Sequence, residues 1–156
     1  MSDEQFMRAA IEIARKGVES GQTPFGAAVI QGDTVIARDH NAVWGSMDIT
    51  SHAEINAIRK ACRALNRIDL SDCVIYSTCE PCPMCFGAIH WARIPAIYYG
   101  VSIKDAESFG FNEIHISNRT MNEIGNLGMR IESGILQEEC AEIFRLWRDS
   151  GLSDGY

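Results

Sequence analysis

Two short motifs combine residues that can bind a metal ion with a residue that can move protons. His52 stands two positions before Glu54, and Cys82 and Cys85 are separated by two residues. A catalytic zinc site uses three nitrogen or thiolate ligands and leaves its fourth tetrahedral position to water. The two-residue gap lets both sulfurs converge on one ion. The sequence therefore predicts one zinc ion bound by His52, Cys82 and Cys85.

Glu54 is expected to lie beside this metal without ligating it. Zinc can lower the pKa of its bound water to about 7, and a nearby carboxylate can accept the released proton. The same carboxylate can return protons to a ring nitrogen and to a departing amine, so that water replaces ammonia. An H-x-E element followed by P-C-x-x-C is the signature of zinc deaminases that act on nucleobases. The two motifs thus predict hydrolytic deamination, with Glu54 as the proton shuttle.

A Cys-x-x-Cys pair alone has other uses, because redox pairs and structural zinc sites also contain it. With Cys79 it also resembles part of an iron–sulfur ligand run, but no fourth cysteine is near. A structural zinc site would need a fourth ligand and has no use for Glu54. The joint occurrence of both motifs favours the deaminase over these alternatives.

The surrounding pattern places each motif at the start of a helix. Apolar residues at helical spacing predict four helices, over about 3–21, 51–65, 82–93 and 137–148. Ser2 or Asp3 is expected to cap the first helix and Ser51 the second. Strands are predicted over 25–30, 35–43, 73–77, 97–101 and 129–132, with loop and one short helix over 102–126. This alternation favours an α/β fold in which helices cover both faces of a sheet.

Composition and charge limit the class of protein. With 156 residues and 46% hydrophobic content, the chain fits one domain over 1–156, in which 149–156 form a polar tail. A signal peptide and a membrane span are not evident, which favours a cytoplasmic location and reduced cysteines. The formal net charge of −7 disfavours long nucleic acid as a partner, because phosphate backbones attract clustered Lys and Arg.

Three longer segments carry a resemblance to a known family. The chain is similar to the purine-deaminating branch of the cytidine-deaminase superfamily, and in particular to bacterial guanine deaminases. The segments are Thr23-Pro24-Phe25-Gly26-Ala27, His52-Ala53-Glu54 and the run from Cys79 to Arg93. Related tRNA adenosine deaminases share the zinc motifs. Trp91-Ala92-Arg93, the acidic charge and the length favour guanine deaminases, whereas 132–140 resemble the closing helix of the tRNA enzymes.

The resemblance implies a three-layer α/β/α cytidine-deaminase-like fold around a central five-stranded mixed sheet. It also implies a homodimer with one Zn²⁺ per subunit and a small nucleobase as substrate, with conversion of guanine to xanthine and ammonia as the expected reaction. A tRNA adenosine deaminase is the alternative, as are deaminases of cytosine, nucleosides such as guanosine, or amino-triazines. A zinc-stabilised binding module without activity is a further alternative, which the presence of Glu54 disfavours.

The resemblance also implies substrate-binding residues outside the zinc motifs. Phe25 and Trp91 would form aromatic walls, Asn41 would hydrogen-bond the base, and Ala53 would contact it. By sequence alone, Phe25 can equally be a core residue, Trp91 can pack beneath its helix, and Asn41 can be a turn residue.

Two further residues are implied near the end of the chain. Glu113, in Gly110-Phe111-Asn112-Glu113, stands where guanine deaminases carry an aspartate and would assist catalysis; a solvated loop charge is the alternative. Tyr156 would bring the tail over an active site, either of its own subunit or, after a segment swap, of the partner subunit.

Overall fold

A five-stranded mixed sheet forms the middle layer of this computed structural model, which describes residues 3–156. The strands follow the order β2-β1-β3-β4-β5. Strand β1 pairs antiparallel with β2 and β3, whereas β4 pairs parallel with β3 and β5. The strands are β1 (Gly26–Gln31), β2 (Thr34–His40), β3 (Cys73–Cys79), β4 (Ala96–Val101) and β5 (Arg130–Ser133).

Helices cover both faces of this sheet. Helices α1 and α7 pack on one face, and α3 and α4 pack on the other. The predicted three-layer α/β/α fold with a five-stranded mixed sheet is thus confirmed. The helices are α1 (Asp3–Glu19), α2 (Val43–Ser46), α3 (Ala53–Leu65), α4 (Pro83–Trp91), α5 (Ile103–Ser108), α6 (Asn118–Gly125) and α7 (Gln137–Ser150). Among the described residues, no helix is both long and apolar enough to cross a membrane.

Two apolar clusters hold the three layers together, one on each side of the sheet. Strand β1 is buried on both faces, which explains its nearly continuous apolar sequence. Gly26 opens this strand where α1 approaches closely. A Cβ atom at Gly26 would lie 2.3 Å from the carbonyl oxygen of Ala10, so a glycine is needed there.

The second predicted strand and the predicted cap of α3 require correction. Strand β2 ends at His40, three residues early, because the Asn41 side chain turns the chain by accepting a hydrogen bond from the Val43 N–H at 3.0 Å. Ser51 does not cap α3: its hydroxyl donates to Asn56 Oδ1, and His52 occupies the N-cap position. Of the two residues predicted to cap the first helix, Ser2 lies outside the described residues, and Asp3 is the first residue of α1.

The segment 102–126 contains two helices, so the prediction of one was wrong. Ser102 begins α5 with a capping box, in which its side chain accepts from the Asp105 N–H while the Asp105 carboxylate accepts from the Ser102 N–H. Ser117 caps α6 by accepting from the Thr120 N–H. Both caps were visible as short sequence signals, but the helices are too short to show clear periodicity.

The tail after α7 folds back across the molecule. Gly151 ends the helix with a positive φ of 61°. Two indole N–H groups then fasten the tail: Trp147 donates to the Ser153 hydroxyl at 2.8 Å, and Trp44 donates to the Asp154 carbonyl at 2.9 Å. Tyr156 is thereby brought close to His52, at the end of the sheet where α3 and α4 begin.

Candidate active site

The first residues of α3 and α4 bring the three predicted metal ligands together. His52 is the N-cap residue of α3, and Cys82 is the N-cap residue of α4, with Pro83 in the first turn. His52 Nδ1 lies 3.6 Å from Cys82 Sγ and 3.5 Å from Cys85 Sγ. All three ligand atoms lie within 4.8 Å of one another. One imidazole and two thiols facing one point fit the preferences of a zinc ion.

The two cysteines differ in their protonation. The hydrogen bond from Cys85, followed by that of His52, lowers the pKa of Cys82 to about 4 despite burial. The same bond to Cys82, together with burial, raises the pKa of Cys85 well above its ordinary value. One thiolate is therefore favoured by the protein alone, consistent with the positive end of a helix dipole.

Glu54 is buried next to this triad, with only 4% of its surface exposed. The Ser77 hydroxyl on β3 donates to Glu54 Oε1 at 3.1 Å, and the Cys85 thiol donates to Oε2 at 3.5 Å. Burial, followed by the negative charge of Cys82, raises the pKa of the Glu54 carboxyl. A carboxyl group with a raised pKa beside a metal site can both accept and return a proton.

A cavity of about 340 Å³ opens beside the triad. Its walls are largely apolar, and its lining contains three carboxylates but neither lysine nor arginine. Next to His52 and Cys82, the lining residues are Phe25, Ile49, Glu54, Glu80, Pro83, Met84, Phe111, Asn112, Glu113, Ile114 and Tyr156. Such a cavity suits a planar, uncharged ligand with hydrogen-bond donors.

Glu113 lies in this cavity. Burial, followed by the negative charges of Cys82 and Glu54, raises the pKa of its carboxyl to about 7. Glu113 is thus electrostatically coupled to the metal motif from a distant part of the chain. The alternative of a solvated loop charge does not fit this burial.

Phe25 and Tyr156 also line the cavity, and their contact with substrate stays a prediction. Phe25 packs edge-on against Phe111, with 4.8 Å between the ring centroids. The Tyr156 ring lies 6.0 Å from the His52 ring, and the Asn112 N–H donates to the Tyr156 carbonyl at 2.9 Å. The tail of this chain therefore covers the cavity of the same chain.

Three predicted substrate contacts lie outside the cavity of the single chain. Trp91 is 84% exposed, because it follows the buried Ile89 by two positions and so points from another face of α4. Ala53 is fully buried in the apolar cluster between α3 and the sheet. Asn41 is also buried, and its amide donates to the Tyr156 hydroxyl at 2.5 Å. The roles of these three residues in substrate binding stay predictions.

Several cavity residues were not predicted from sequence. Ile49, Met84 and Ile114 are exposed apolar side chains in or beside irregular segments, where no periodicity marks them. Phe111 and Glu80 had a detectable signal, since Phe111 follows Gly110 near Glu113 and Glu80 directly precedes Pro81-Cys82.

The same motifs match a known family. Residues 1–101 match the model of the cytidine and deoxycytidylate deaminase zinc-binding region. The chain belongs to this deaminase family. Membership makes it a hydrolytic enzyme of the zinc type, with His52, Cys82 and Cys85 placed to bind the metal.

Guanine deaminases and tRNA-specific adenosine deaminases are both among the relatives of this deaminase. The guanine deaminase of Bacillus subtilis is 45% identical over 117 residues, which cover 74% of this chain and 75% of that protein. Its solved structure covers 72% of this chain and 73% of its own, with a TM-score of 0.70. The tRNA-specific adenosine deaminase of Agrobacterium fabrum is 36% identical over 150 residues, 96% of each chain.

The solved structure of a guanine deaminase from Nitrosomonas europaea is more similar to this chain than that of the Bacillus subtilis enzyme. Its solved structure has a TM-score of 0.87 at 28% identity and covers 95% of this chain and 85% of its own. Solved structures of guanine deaminases and of a tRNA:A34 deaminase are all similar to this chain, so similarity alone does not distinguish the two substrates.

Proposed function

We propose that this deaminase converts guanine to xanthine and ammonia, using one zinc ion per subunit. The observation that carries the proposal is Glu113, a partly buried carboxylate in an apolar cavity whose lining, among the described residues, contains neither lysine nor arginine. Guanine presents its exocyclic amine and the adjacent ring N–H side by side. A carboxylate offers two acceptors for such a pair of donors.

The metal would be held by the His52 imidazole and the Cys82 and Cys85 sulfurs. Bound there, zinc supplies a water molecule of lowered pKa. Glu54 would take the proton from this water as its oxygen attacks C2 of the base, and deliver that proton to ring N3. Glu54 would then transfer the second water proton to the departing amine, so that the C2–N bond breaks and ammonia leaves.

The remaining cavity residues would orient the base and exclude bulk water. Phe25 and Phe111 would contact the planar ring system, and Glu113 would hold the amine and neighbouring ring N–H. Tyr156 would close the cavity above His52. An apolar, closed cavity strengthens the hydrogen bonds and charge interactions within it.

A tRNA adenosine deaminase is the second candidate, because a relative of that kind spans 96% of the chain. The segment 132–140 also resembles the closing helix of those enzymes. The carboxylates in the cavity and the net charge of −7 argue against it, since a tRNA backbone would be repelled. Its test is therefore a comparison of ammonia release from separate candidate substrates.

The decisive experiment measures ammonia release from guanine, guanosine, adenine, cytosine and an anticodon stem-loop RNA, each incubated with zinc-loaded protein. We expect rapid release from guanine and only slow release from the others. Glu54→Gln protein, purified in parallel, controls for contaminating deaminases. Release from the stem-loop but not from guanine would establish the tRNA enzyme instead.

We also propose a homodimer, supported by large exposed apolar side chains, of which Ile49 and Ile114 line the cavity. Met47 and Trp91 are more than 80% exposed, and Ile114 is 58% exposed. Large exposed apolar side chains in one region are typical of an interface. Light scattering across a concentration series should give twice the mass of the chain, and a tail exchanged between subunits would make the dimer persist on dilution.

A further inference from the structure

Glu80 is a buried carboxylate between β3 and the metal motif, and neither the proposed chemistry nor the motif uses it. Only 6% of its surface is exposed. Its backbone N–H donates to the Val101 carbonyl at 2.8 Å, which fixes the main chain of Glu80 to the last residue of β4. The position of Glu80, directly before Pro81 and the metal ligand Cys82, is therefore fixed relative to the sheet.

The two oxygens of Glu80 accept hydrogen bonds from two different helices. Oε2 accepts from the Ile103 N–H at 3.2 Å, and Oε1 accepts from the Asn118 N–H at 2.9 Å. Ile103 and Asn118 are the first residues of α5 and α6. Helix-terminal N–H groups lack a partner within the helix, so they are available to donate to the two Glu80 oxygens.

A second bond ties the start of α6 to the same loop. The fully buried Asn118 side chain donates from Nδ2 to the Pro81 carbonyl at 2.6 Å. The chain immediately before Cys82 is therefore fastened to α6 from two sides.

The segment 109–117 connects α5 to α6, and we name it the pocket segment. It carries the cavity residues Phe111, Asn112, Glu113 and Ile114. Because α5 precedes this segment and α6 follows it, fixing the first residue of each helix limits where the segment can lie. The contacts of Glu80 thus join the metal motif to the pocket segment.

We propose that Glu80 is a positioning residue that sets the separation between the metal motif and the pocket segment. It acts through Cys82 on one side and through Glu113 on the other. The assignment of its effect on substrate rests on the proposed function, whereas the bridge itself does not. Two acceptor oxygens at this length are required: a glutamine of the same shape would aim an NH₂ donor at one of the two N–H groups.

The test compares zinc-loaded wild-type protein with Glu80→Gln. We expect a full zinc complement but faster amide hydrogen exchange in the pocket segment, with exchange in α1 and α7 unchanged. KM for guanine should rise on the order of tenfold, because one of the two hydrogen bonds that Glu80 accepts is lost. The change in kcat should be smaller, because Glu54 is unchanged. The visible absorption of the cobalt-substituted protein should shift slightly, since Cys82 follows Glu80 closely.

Two controls separate the bridge from simpler effects. Glu123→Gln removes an exposed acid of α6 that lies outside the pocket segment, and it should leave exchange and KM unchanged. Ser102→Ala removes the cap of α5 without touching the metal motif, so it should loosen α5 but leave the cobalt spectrum unaltered. Wild-type exchange in the pocket segment together with unchanged KM for Glu80→Gln would overturn the proposal.

The outcome stays decisive if Glu80→Gln does not fold. Asn118→Ala then removes only the side-chain bond to Pro81, and faster exchange in the pocket segment with zinc retained supports the bridge, whereas wild-type exchange overturns it. If the wild-type protein releases no ammonia from guanine, the proposed function fails, while the exchange and cobalt measurements still decide the role of Glu80.

Discussion

At the scale of single residues, the same chemical group has different surroundings at different positions of the cavity. Glu54 is almost fully buried and is hydrogen-bonded by Ser77 and Cys85. Glu113 is more open, and its pKa is raised to about 7 by burial and by neighbouring negative charge. Glu54 is therefore suited to proton transfer and Glu113 to orienting a ligand through hydrogen bonds.

Glu54→Gln tests the proton shuttle. The variant keeps the size of the side chain and the three metal ligands, so zinc content should equal that of the wild-type protein. Turnover should fall by about 10²- to 10⁴-fold, the usual contribution of general acid–base catalysis. Metal analysis and ammonia release measure the two quantities. Substantial remaining activity in Glu54→Gln would exclude the shuttle, and Glu19→Gln on α1 serves as the neutral control.

Glu113→Gln tests the raised pKa through stability. An acid whose pKa is higher in the folded than in the unfolded state stabilises the fold below its unfolded value and loses that contribution as pH rises towards the folded value. Between about pH 4.5 and pH 7, the free energy of unfolding should therefore fall more steeply for the wild-type protein than for Glu113→Gln. Urea titrations at several pH values measure this. Parallel pH profiles would show that Glu113 has an ordinary pKa.

At the scale of elements, close packing of α1 on β1 and the return of the tail both shape the site. Strand β1 leads directly from the cavity residue Phe25, so the position of α1 determines where this ring lies. The tail reaches the same cavity from the other end of the chain through its bonds to Trp44 and Trp147.

Gly26→Ala tests the packing of α1 on β1. The added methyl group would lie 2.3 Å from the Ala10 carbonyl oxygen, so the helix must shift. We expect a loss of about 1–3 kcal/mol in the free energy of unfolding. Gly87→Ala in α4 is the matched control, because a methyl group there meets no atom within 4 Å and should stabilise the helix by about 0.5–1 kcal/mol. Equal stabilities of both variants would contradict the packing.

Deletion of residues 152–156 tests the cover of the cavity. The deletion removes Tyr156 and both indole bonds, so we expect a higher KM for guanine with zinc binding retained. Tyr156→Phe is the finer comparison, because it removes only the hydroxyl that accepts from Asn41 and should have a smaller effect. Steady-state kinetics measure both. A truncated protein with wild-type KM would show that the tail has no part in binding.

At the scale of the whole molecule, the three predicted metal ligands lie at the starts of two helices, α3 and α4, that pack on the same face of the sheet. His52 is the N-cap residue of α3, whereas Cys82 is the N-cap residue of α4 and Cys85 lies in the first turn of α4. A metal ion bound by all three would cross-link these elements in the folded state only, so metal binding and stability are linked.

Removal of the metal tests this linkage. With free zinc about 1,000-fold above its dissociation constant, binding adds about 4 kcal/mol to stability, and chelation should lower Tm by about 10 °C. Differential scanning calorimetry with and without chelator measures the shift. Cys82→Ala should lose most of this response; a wild-type response in Cys82→Ala would remove that cysteine from the ligand set.

The sequence alone predicted those features that depend on residues close together in the chain. The metal triad followed from sequence because Cys-x-x-Cys and His-x-Glu each place their side chains within one helical turn. The five strands and four long helices followed from periodic burial. Ser102 and Ser117 carried readable capping signals, but α5 and α6 are too short for periodicity to confirm them.

The lining of the cavity was decided only by the tertiary structure. Trp91 points to solvent because of its rotation on α4, and Asn41 bonds Tyr156, a residue 115 positions away. Glu80 and Glu113 line the same cavity as His52 and Cys82. The starts of α5 and α6 are held beside the metal motif by their hydrogen bonds to Glu80. A motif encodes geometry over a few residues, whereas irregular segments and a tail take their positions from contacts distant in sequence, which no local pattern records.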